Sequence, residues 1–346
     1  MATAARPVVF HDKQIAMAHG AGGEASRRLI EGLIQPAFAN PFLDGLADAA
    51  VLAPQAGRLA LTTDSFVVQP LQFPGGSIGE LAVNGTVNDL AVSGAAPIAL
   101  SAALILEAGL TAEVLRREIA AMAAAAARAG VSIVTGDTKV VEHGKADGMY
   151  ITTTGLGLLD PRAELQVQRV EPGDRIFLSG PIGSHGMAVM LARAELDIEA
   201  DIRSDTRPLG CFTSALLEAA GSGVRWMRDA TRGGVATVLN ELARDADLTL
   251  VLEEDAIPVE DAVRGACELL GLDPLQVANE GQFVAILAAD VADAALAAVR
   301  GIAGGERACL VGEVRRDRYS RVVAHSAYGG ARVIDMLIGD PLPRIC

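Results

Sequence analysis

The feature that most constrains this fold is a double series of strand-like and helix-like segments, interrupted once by a stretch of turn residues. Strand-like runs of Val, Ile, Leu and Thr recur between residues 58 and 159, with helix-like segments between them. A second such series spans residues 175–287. Asp160-Pro161 and Glu171-Pro172-Gly173-Asp174 lie between the two series and are turn signals. The sequence therefore predicts an α/β (α+β) protein with two domains.

The clearest single element is a predicted helix over residues 111–129. Thr111 is suited to cap its start, Glu113 favours its first turn, and Gly130 suits its end. A second helix is predicted over 78–93 and a long strand over 149–159. In the second series, residues 184–195, 210–220 and 234–243 read as helices, and residues 175–178, 248–252 and 283–287 read as strands.

These patterns divide the chain into four predicted parts. A glycine-rich lead-in and helix occupy residues 1–41, a first α/β domain 42–160, and a second α/β domain 161–326. Residues 327–346 form the last part. Pro341 and Pro343 disfavour a helix there and favour an extended, flexible tail.

Composition excludes several classes of protein. Hydrophobic residues make up 51% of the chain, which is enough to build cores. The net charge of −14 argues against a nucleic-acid-binding protein, which normally carries a basic patch. We find no apolar run of the roughly 18 residues that a membrane span requires, and no apolar signal segment near the start. A cytoplasmic location is the expectation.

Four cysteines are present, and they form no CxxC pair, so their spacing disfavours a zinc site. Cys211, Cys267 and Cys309 sit among apolar residues, where packing is the simplest interpretation. Cys346 differs because it is the last residue of the chain.

Three aspartates are expected where a predicted strand meets a loop: Asp64, Asp89 and Asp137. Mg²⁺ prefers carboxylate oxygens together with substrate phosphates, so three such side chains from separate loops would suit a metal–nucleotide site. Each aspartate alone could equally cap a turn.

Glycine-rich loops are the second signal. Gly20-Ala21-Gly22-Gly23 could wrap phosphates with backbone N–H groups. Residues 179–186 follow a strand and open a helix, but a plain structural turn explains them equally well. Asp229-Ala230-Thr231-Arg232-Gly233-Gly234 is more specific, because it combines an acid, a hydroxyl and an arginine before a helix.

A possible general base is Glu280, in the short segment Ala278-Asn279-Glu280-Gly281 before a strand. The alternative is an ordinary surface glutamate. His143 and His185 could serve as acids or bases, although a single histidine more often packs or forms a structural hydrogen bond.

Together these motifs resemble a known superfamily. Asp64-Ser65-Phe66, Asn88-Asp89-Leu90-Ala91 and Gly136-Asp137-Thr138-Lys139 are similar to the ATP-binding superfamily of aminoimidazole ribonucleotide synthetase. Within it, His19-Gly20-Ala21-Gly22-Gly23 and the ending Pro343-Arg344-Ile345-Cys346 resemble the HypE family of hydrogenase-maturation carbamoyl dehydratases. The 229–234 and 278–281 segments support the same likeness, which covers nearly the whole chain.

The resemblance implies a function. It implies ATP-dependent dehydration of a carbamoyl group on Cys346 to a thiocyanate, which supplies the cyanide ligand of the iron in nickel–iron hydrogenase. A HypF-type carbamoyltransferase would load the cysteine, and a HypC–HypD complex would accept the cyanide. A homodimer formed through the N-terminal, ATP-binding domain is also implied.

The resemblance also implies roles for individual residues. Mg²⁺ would bind Asp64, Asp89 and Asp137, and Glu280 would be the base. Lys139 would neutralise developing charge or form a salt bridge, with His143 as a further catalytic candidate. ATP would be held by Gly20, Gly22, Gly23, Asp64, Asp89, Asp137, Asp229, Thr231, Arg232 and Gly233.

Other functions remain open at this stage. Selenophosphate synthetase and thiamine-monophosphate kinase share the fold, but the former usually has a cysteine or selenocysteine in its N-terminal loop, and here none precedes Cys211. A non-catalytic carrier or scaffold whose tail docks partners is a different class of answer. A metal-insertion role for Cys346 lacks neighbouring ligands.

Overall fold

The computed structural model describes residues 8–21, 23–44, 46, 49–53, 55–193, 200–326, 328–336 and 344–346. None of the helices in these ranges is long and apolar enough to cross a membrane.

The first half of the described chain builds a four-stranded sheet with helices on one face. Its elements are α1 (Gly23–Leu29), a π-helical turn (Ile30–Ile34), α2 (Gln35–Ala37), β1 (Leu59–Phe66), β2 (Gln72–Phe73), β3 (Gly76–Ser77), α3 (Ile78–Val92), β4 (Ala95–Glu107), α4 (Ala112–Arg128), β5 (Ile133–Val141) and β6 (Met149–Leu159).

The strand order of this sheet is β1-β6-β4-β5, with β4 and β5 parallel and the other pairs antiparallel. Burial alternates along β6, because α3 covers one face of the sheet. The predicted helix over 111–129 is confirmed as α4, and the Thr111 hydroxyl accepts the Val114 N–H at its start (3.4 Å).

The second half builds a seven-stranded sheet covered on both faces. Its elements are β7 (Arg175–Leu178), α5 (Ser184–Ala192), α6 (Gly210–Ala220), β8 (Val224–Asp229), α7 (Gly234–Ala246), β9 (Thr249–Glu253), α8 (Asp261–Leu270), β10 (Phe283–Leu287), α9 (Ala292–Arg300), β11 (Cys309–Arg315), β12 (Val322–His325) and β13 (Ala331–Ile334). The strand order is β13-β12-β9-β11-β7-β10-β8. One core packs α7 against this sheet, and another packs α6 and α9 against the opposite face.

Helix α3 joins the two halves. Nearly every residue from Ile78 to Val92 is buried, and a helix that is apolar on all sides belongs in an interior. One side of α3 packs on the first sheet, and its end contributes Ala91 and Val92 to the core around α6 and α9. Asn84 and Asn88 on α3 form hydrogen bonds with the second half.

Two parts of the predicted tail, residues 327–346, have defined positions in the structure. Ala331–Ile334 forms β13, an edge strand that pairs antiparallel with β12. Arg344–Cys346 is bound between the two halves, as described below. The intervening residues 337–343, with both prolines, lie outside the described residues.

Candidate active site

The two halves meet where two loops of the second half rest against α3. Asn88 of α3 holds both loops, because its side-chain amide donates to the carbonyls of Glu280 and Arg207 (3.0 Å each). Its side-chain carbonyl accepts the Leu209 N–H (2.8 Å). This one side chain thus fixes the 205–209 and 278–282 loops relative to the first sheet.

The loop that carries Glu280 is clamped a second time by Asp205. The Asp205 carboxylate accepts the N–H groups of Glu280 (3.1 Å) and Gly281 (3.3 Å). A Cβ at Gly281 would lie 1.8 Å from the Asp205 carbonyl oxygen, so only glycine fits this approach. The glutamate side chain is consequently held in a defined direction.

Glu280 itself is buried, and its carboxyl group lacks one hydrogen-bond partner in the described residues. It is 5% exposed, and its Oε1 has no hydrogen-bond partner within the described part of the chain. Burial raises the pKa of Glu280 well above its ordinary value, and Asp229, Asp205, Asp64 and Asp89 raise it further through repulsion. A buried carboxyl with a free oxygen is suited to exchange a proton with a bound substrate.

Three further acids surround this glutamate. Burial, and then repulsion by Asp229, raise the pKa of Asp89 to about 6, although the Thr62 hydroxyl donates to its carboxylate (2.7 Å). Burial also raises the pKa of Asp64, while Arg232 opposes the rise and Asp229 reinforces it. Asp64 and Asp89 belong to the first half and Asp229 to the second. Acids that raise one another's pKa create a site of strong negative potential that favours a cation.

Asp137 does not join this acidic cluster within one chain. Across the first sheet Asp64 pairs with Thr153, Thr153 with Ala102, and Ala102 with Gly136. Three strand spacings therefore separate Asp64 from Asp137, roughly 14 Å. The sequence could not reveal this, because strand order is not encoded in the local motifs. Asp229, predicted as an ATP-binding residue, occupies the third position of the cluster instead.

No three acidic, histidine or cysteine side chains in the described ranges lie close enough to hold a metal ion alone.

The segment after β8 presents groups suited to phosphate. The Thr231 hydroxyl donates to Asp229, and Gly233 and Gly234, at the start of α7, have positive φ (72° and 60°). A Cβ at Gly234 would lie 2.5 Å from the Leu275 carbonyl oxygen. Arg232 is exposed, and its positive charge lowers the pKa of Asp64 across the junction. An arginine and a helix N-terminus here can both contact an anion.

A second group of predicted residues lies elsewhere, on β5 and next to it. His19, Gly20, Asp137 and Lys139 line a cavity of about 580 Å³ beneath the N-terminal helical segment. Lys139 forms an ion pair with Asp137 (2.8 Å) at the surface, which lowers the pKa of Asp137. Gly23 borders open space, and Gly22 lies outside the described residues.

The histidines of the sequence separate into different roles. His19 is buried, accepting the Ala16 N–H (2.8 Å) and pairing with Asp12 (2.8 Å), which is a structural arrangement. His143 is 88% exposed and lies 3.0 Å from Glu107.

The chain terminus lies at the junction near the acidic cluster. Val67, three residues beyond Asp64, donates its N–H to the Cys346 carbonyl (3.1 Å). Gln69 donates in the same way to the Arg344 carbonyl (3.3 Å). Cys346 is half-buried and packs against an apolar core to which both halves contribute. The predicted reactive cysteine is thus placed beside the strand that carries Asp64.

Some residues of the site were not identified from sequence. Asp205 gave no recognisable signal, since it lies in a loop without a motif. Asn84 and Asn88 did give one: two amides spaced four residues apart in an otherwise apolar segment lie on the same side of a helix and need partners.

Comparison with known proteins shows the family of the chain. Residues 46–159 match the AIR synthase related protein N-terminal domain, and residues 171–325 match its C-terminal domain. The carbamoyl dehydratase HypE of Rhodobacter capsulatus is 48% identical over 341 residues, covering 98% of this chain and 100% of the relative. Its counterpart in Escherichia coli K12 is 43% identical over 337 residues, covering 96% and 99%.

The chain belongs to the HypE family of carbamoyl dehydratases.

Solved HypE structures extend the likeness to three dimensions. A HypE in complex with ATP superposes with a TM-score of 0.91 at 45% identity, covering 96% of this chain and 99% of that one. A HypE–HypF complex gives a TM-score of 0.78 at 43% identity, covering 89% and 99%. A thiamine-monophosphate kinase from Stenotrophomonas maltophilia, 21% identical with a TM-score of 0.61, shares the fold alone.

Proposed function

We propose that this protein uses ATP and Mg²⁺ to dehydrate an S-carbamoyl group on its own Cys346 to a thiocyanate, for the cyanide ligand of nickel–iron hydrogenase. The observation that carries the proposal is the docking of the terminal cysteine on Val67, three residues beyond Asp64, while Asp64, Asp89 and Asp229 all act on buried Glu280. Membership in the HypE family, whose members are carbamoyl dehydratases, supports the same reaction.

The acidic cluster fits a magnesium–nucleotide complex. Asp64, Asp89 and Asp229 repel one another when ionised, so a divalent cation would relieve a cost that the folded protein otherwise carries. Thr231 and Arg232 would hold phosphate oxygens. A related HypE was crystallised with ATP, which supports nucleotide binding by this protein.

The chemistry requires an oxygen to leave and two protons to be removed. When bound, ATP–Mg²⁺ supplies the phosphoryl group that converts the carbamoyl oxygen into a leaving group. The carbamoyl nitrogen loses one proton as the oxygen is phosphorylated. It loses the second as phosphate departs, which leaves S–C≡N together with ADP and inorganic phosphate.

Glu280 is the proposed acceptor of a carbamoyl proton. Its free Oε1 can receive an N–H hydrogen bond, and its raised pKa makes it a stronger base than an exposed carboxylate. Positive charge bound to the neighbouring aspartates would lower that pKa and so leave the carboxylate ionised. Proton removal is thereby coupled to loading of the site.

The open edges of the first sheet favour a homodimer. β1 and β5 are its edge strands, and Leu59 and Leu61 are exposed on the face that α3 does not cover. A two-fold axis that placed β1 of one subunit beside β5 of its partner would cover both edges. It would also bring a partner Asp137, with Lys139, towards Asp64, as the predicted metal trio requires.

The proposed partners need the thiol outside the site. A HypF-type carbamoyltransferase would load Cys346, and a HypE–HypF complex has been solved for a relative. A HypC–HypD complex would then accept the cyanide. The docked terminus of this structure would correspond to the dehydration step between those two exchanges.

Intact-mass measurement tests the proposal. The protein is carbamoylated with transferase and carbamoyl phosphate, purified, and then given ATP–Mg²⁺. We expect Cys346 to gain one carbamoyl group and then to lose one water only when ATP–Mg²⁺ is present. Cys346→Ala should never gain the group. A carbamoylated protein that keeps its mass with ATP–Mg²⁺ would refute the dehydratase assignment.

Glu280→Gln tests the base within the same assay. We expect dehydration to slow by about 10² to 10⁴-fold, as for loss of a general base, while carbamoylation proceeds. Asp174→Asn is the matched control, because Asp174 is an equally buried acid with a raised pKa outside the site. Equal slowing in both variants would assign the effect to a general loss of folding.

A further inference from the structure

The last peptide of the chain is held from both sides by different halves of the molecule. The carbonyls of Arg344 and Cys346 face the 67–69 segment of the first half. The carbonyl of Ile345, between them, faces the other way and accepts from His185 Nε2 (3.0 Å). Arg193 of the second half also donates to the Arg344 carbonyl (2.9 Å), so both halves hold the terminal peptide.

His185 is built into the interior and serves neither the nucleotide segments nor the acidic cluster. It lies in the first turn of α5, is fully buried, and packs edge-on against Phe73 with ring centroids 5.4 Å apart. The next residue, Gly186, donates its N–H to the Ala278 carbonyl (3.0 Å), two positions before Glu280. The ring is therefore positioned by the same loop that positions the proposed base.

The hydrogen bonds around the ring fix its protonation. A carbonyl can only accept, so Nε2 carries the hydrogen that reaches Ile345. In a neutral ring Nδ1 is then an acceptor, and the Ser204 hydroxyl, 2.8 Å away, donates to it. The Ser204 oxygen in turn accepts the Thr206 N–H (3.2 Å). Burial lowers the pKa of His185 to about 4, which keeps the ring in this neutral form.

This relay leads back to α3. The Thr206 hydroxyl accepts from the Asn84 side chain (3.1 Å), and a Cβ at the adjacent Gly85 would lie 3.8 Å from Asp64 Oδ2. Four successive hydrogen bonds therefore connect the terminal peptide to the helix turn against which Asp64 packs.

We propose that His185, oriented by Ser204, is a positioning residue that latches the Ile345 carbonyl and thereby holds Cys346 in the site during dehydration. This rests on the proposed function and adds a residue to it. The latch adds one interior hydrogen bond to those that Val67, Gln69 and Arg193 form with the terminal peptide, and all of them break when the cysteine reaches its partners. Its loss should affect dehydration and not carbamoylation.

Alkylation of Cys346 tests the latch without any ATP chemistry. His185→Phe keeps an aromatic ring against Phe73 but cannot donate. Iodoacetamide labelling is followed on the C-terminal peptide by mass spectrometry, because Cys211 is also exposed. If most molecules of the wild type have the terminus docked, we expect iodoacetamide to label Cys346 about tenfold faster in His185→Phe. If most have it undocked, we expect dehydration to be about tenfold slower in His185→Phe instead.

Two further variants sharpen the test. His185→Gln retains a donor and should recover part of the effect, while His11→Gln alters an exposed histidine and should behave as wild type. Unchanged labelling together with unchanged dehydration in His185→Phe overturns the proposal. So does an equal slowing of carbamoylation and dehydration with a lowered melting temperature, since that would indicate a structural role. If the carbamoylated wild type did not lose water with ATP–Mg²⁺, the proposed function would be refuted. The labelling rates would still decide whether His185 holds the terminus.

Discussion

The side chains of the candidate site are arranged at a cost to stability. Glu280 and Asp89 are carboxyls whose pKa values are raised, and Glu280 Oε1 lacks a partner in the described chain. A protein selected for stability alone would pair or remove such groups. The presence of such groups together at one junction indicates that a bound ligand supplies their missing partners.

The raised pKa of Asp89 predicts a pH-dependent stability. The folded protein binds a proton at this group up to about pH 6, whereas an unfolded chain releases it near 3.8. The contribution of Asp89 to the free energy of unfolding without Mg²⁺ should therefore fall as pH rises between these values, and remain lower above them. Asp89→Asn should melt higher than wild type at pH 8 in EDTA, by on the order of a few degrees, and equally at pH 4.

Thermal unfolding with and without Mg²⁺ measures this. Added Mg²⁺ should raise the melting temperature of wild type at pH 8 more than that of Asp89→Asn, because the ion relieves the same repulsion. If the difference in melting temperature between Asp89→Asn and wild type, without Mg²⁺, did not grow with pH across the interval, the assigned direction of the shift would be contradicted.

Local sequence motifs identified candidate site residues but did not indicate which of them lie together in the fold. Asp64, Asp89, Asp229 and Glu280 were all proposed from local patterns, and the structure places them together. Asp137 was grouped with the first two because it ends a similar motif, yet it sits at the far edge of the sheet. Which strand lies beside which depends on contacts between distant segments, and no local pattern records those contacts.

At the scale of elements, helices and long strands were predictable because their periodicity and caps are local. The 149–159 strand and the helix capped by Thr111 are confirmed. β8 was missed because its two arginines interrupt the apolar run. The docking of residues 344–346 could not be foreseen either, since it depends on a groove that both halves create.

The close approach of the 281 and 205 loops is an element-scale feature that one methyl group should disrupt. Gly281→Ala would place a Cβ 1.8 Å from the Asp205 carbonyl oxygen, forcing the loops apart. We expect a loss of about 1–3 kcal/mol in the free energy of unfolding and slower dehydration, because Glu280 moves with its loop. Denaturant unfolding and the mass assay measure the two effects.

Gly265→Ala is the matched control for that substitution. Gly265 lies within α8, and a Cβ there would meet nothing within 4 Å. Alanine should therefore stabilise the helix by about 0.5–1 kcal/mol and leave dehydration unchanged. If Gly281→Ala behaved like this control, the proposed clamp on Glu280 would be unsupported.

The whole molecule presents two half-sites on opposite edges of one sheet. Asp64 and Asp89 face the junction with the second half, whereas Asp137 and Lys139 lie beside β5 with the cavity of about 580 Å³. If each half-site needs the other, a single chain is incomplete. A two-fold dimer would assemble two complete sites, each with Asp64 from one subunit and Asp137 from its partner.

Mixed dimers test this arrangement. Asp64→Asn and Asp137→Asn homodimers should each lose on the order of a hundredfold in dehydration, because both sites lack a charged group. A mixed dimer of the two variants contains one site with both substitutions and one with neither. Random pairing makes half of the dimers mixed, so co-refolded protein should recover about a quarter of wild-type activity. If Asp137 acts within its own chain, every site in the mixture carries a substitution, and mixing restores nothing.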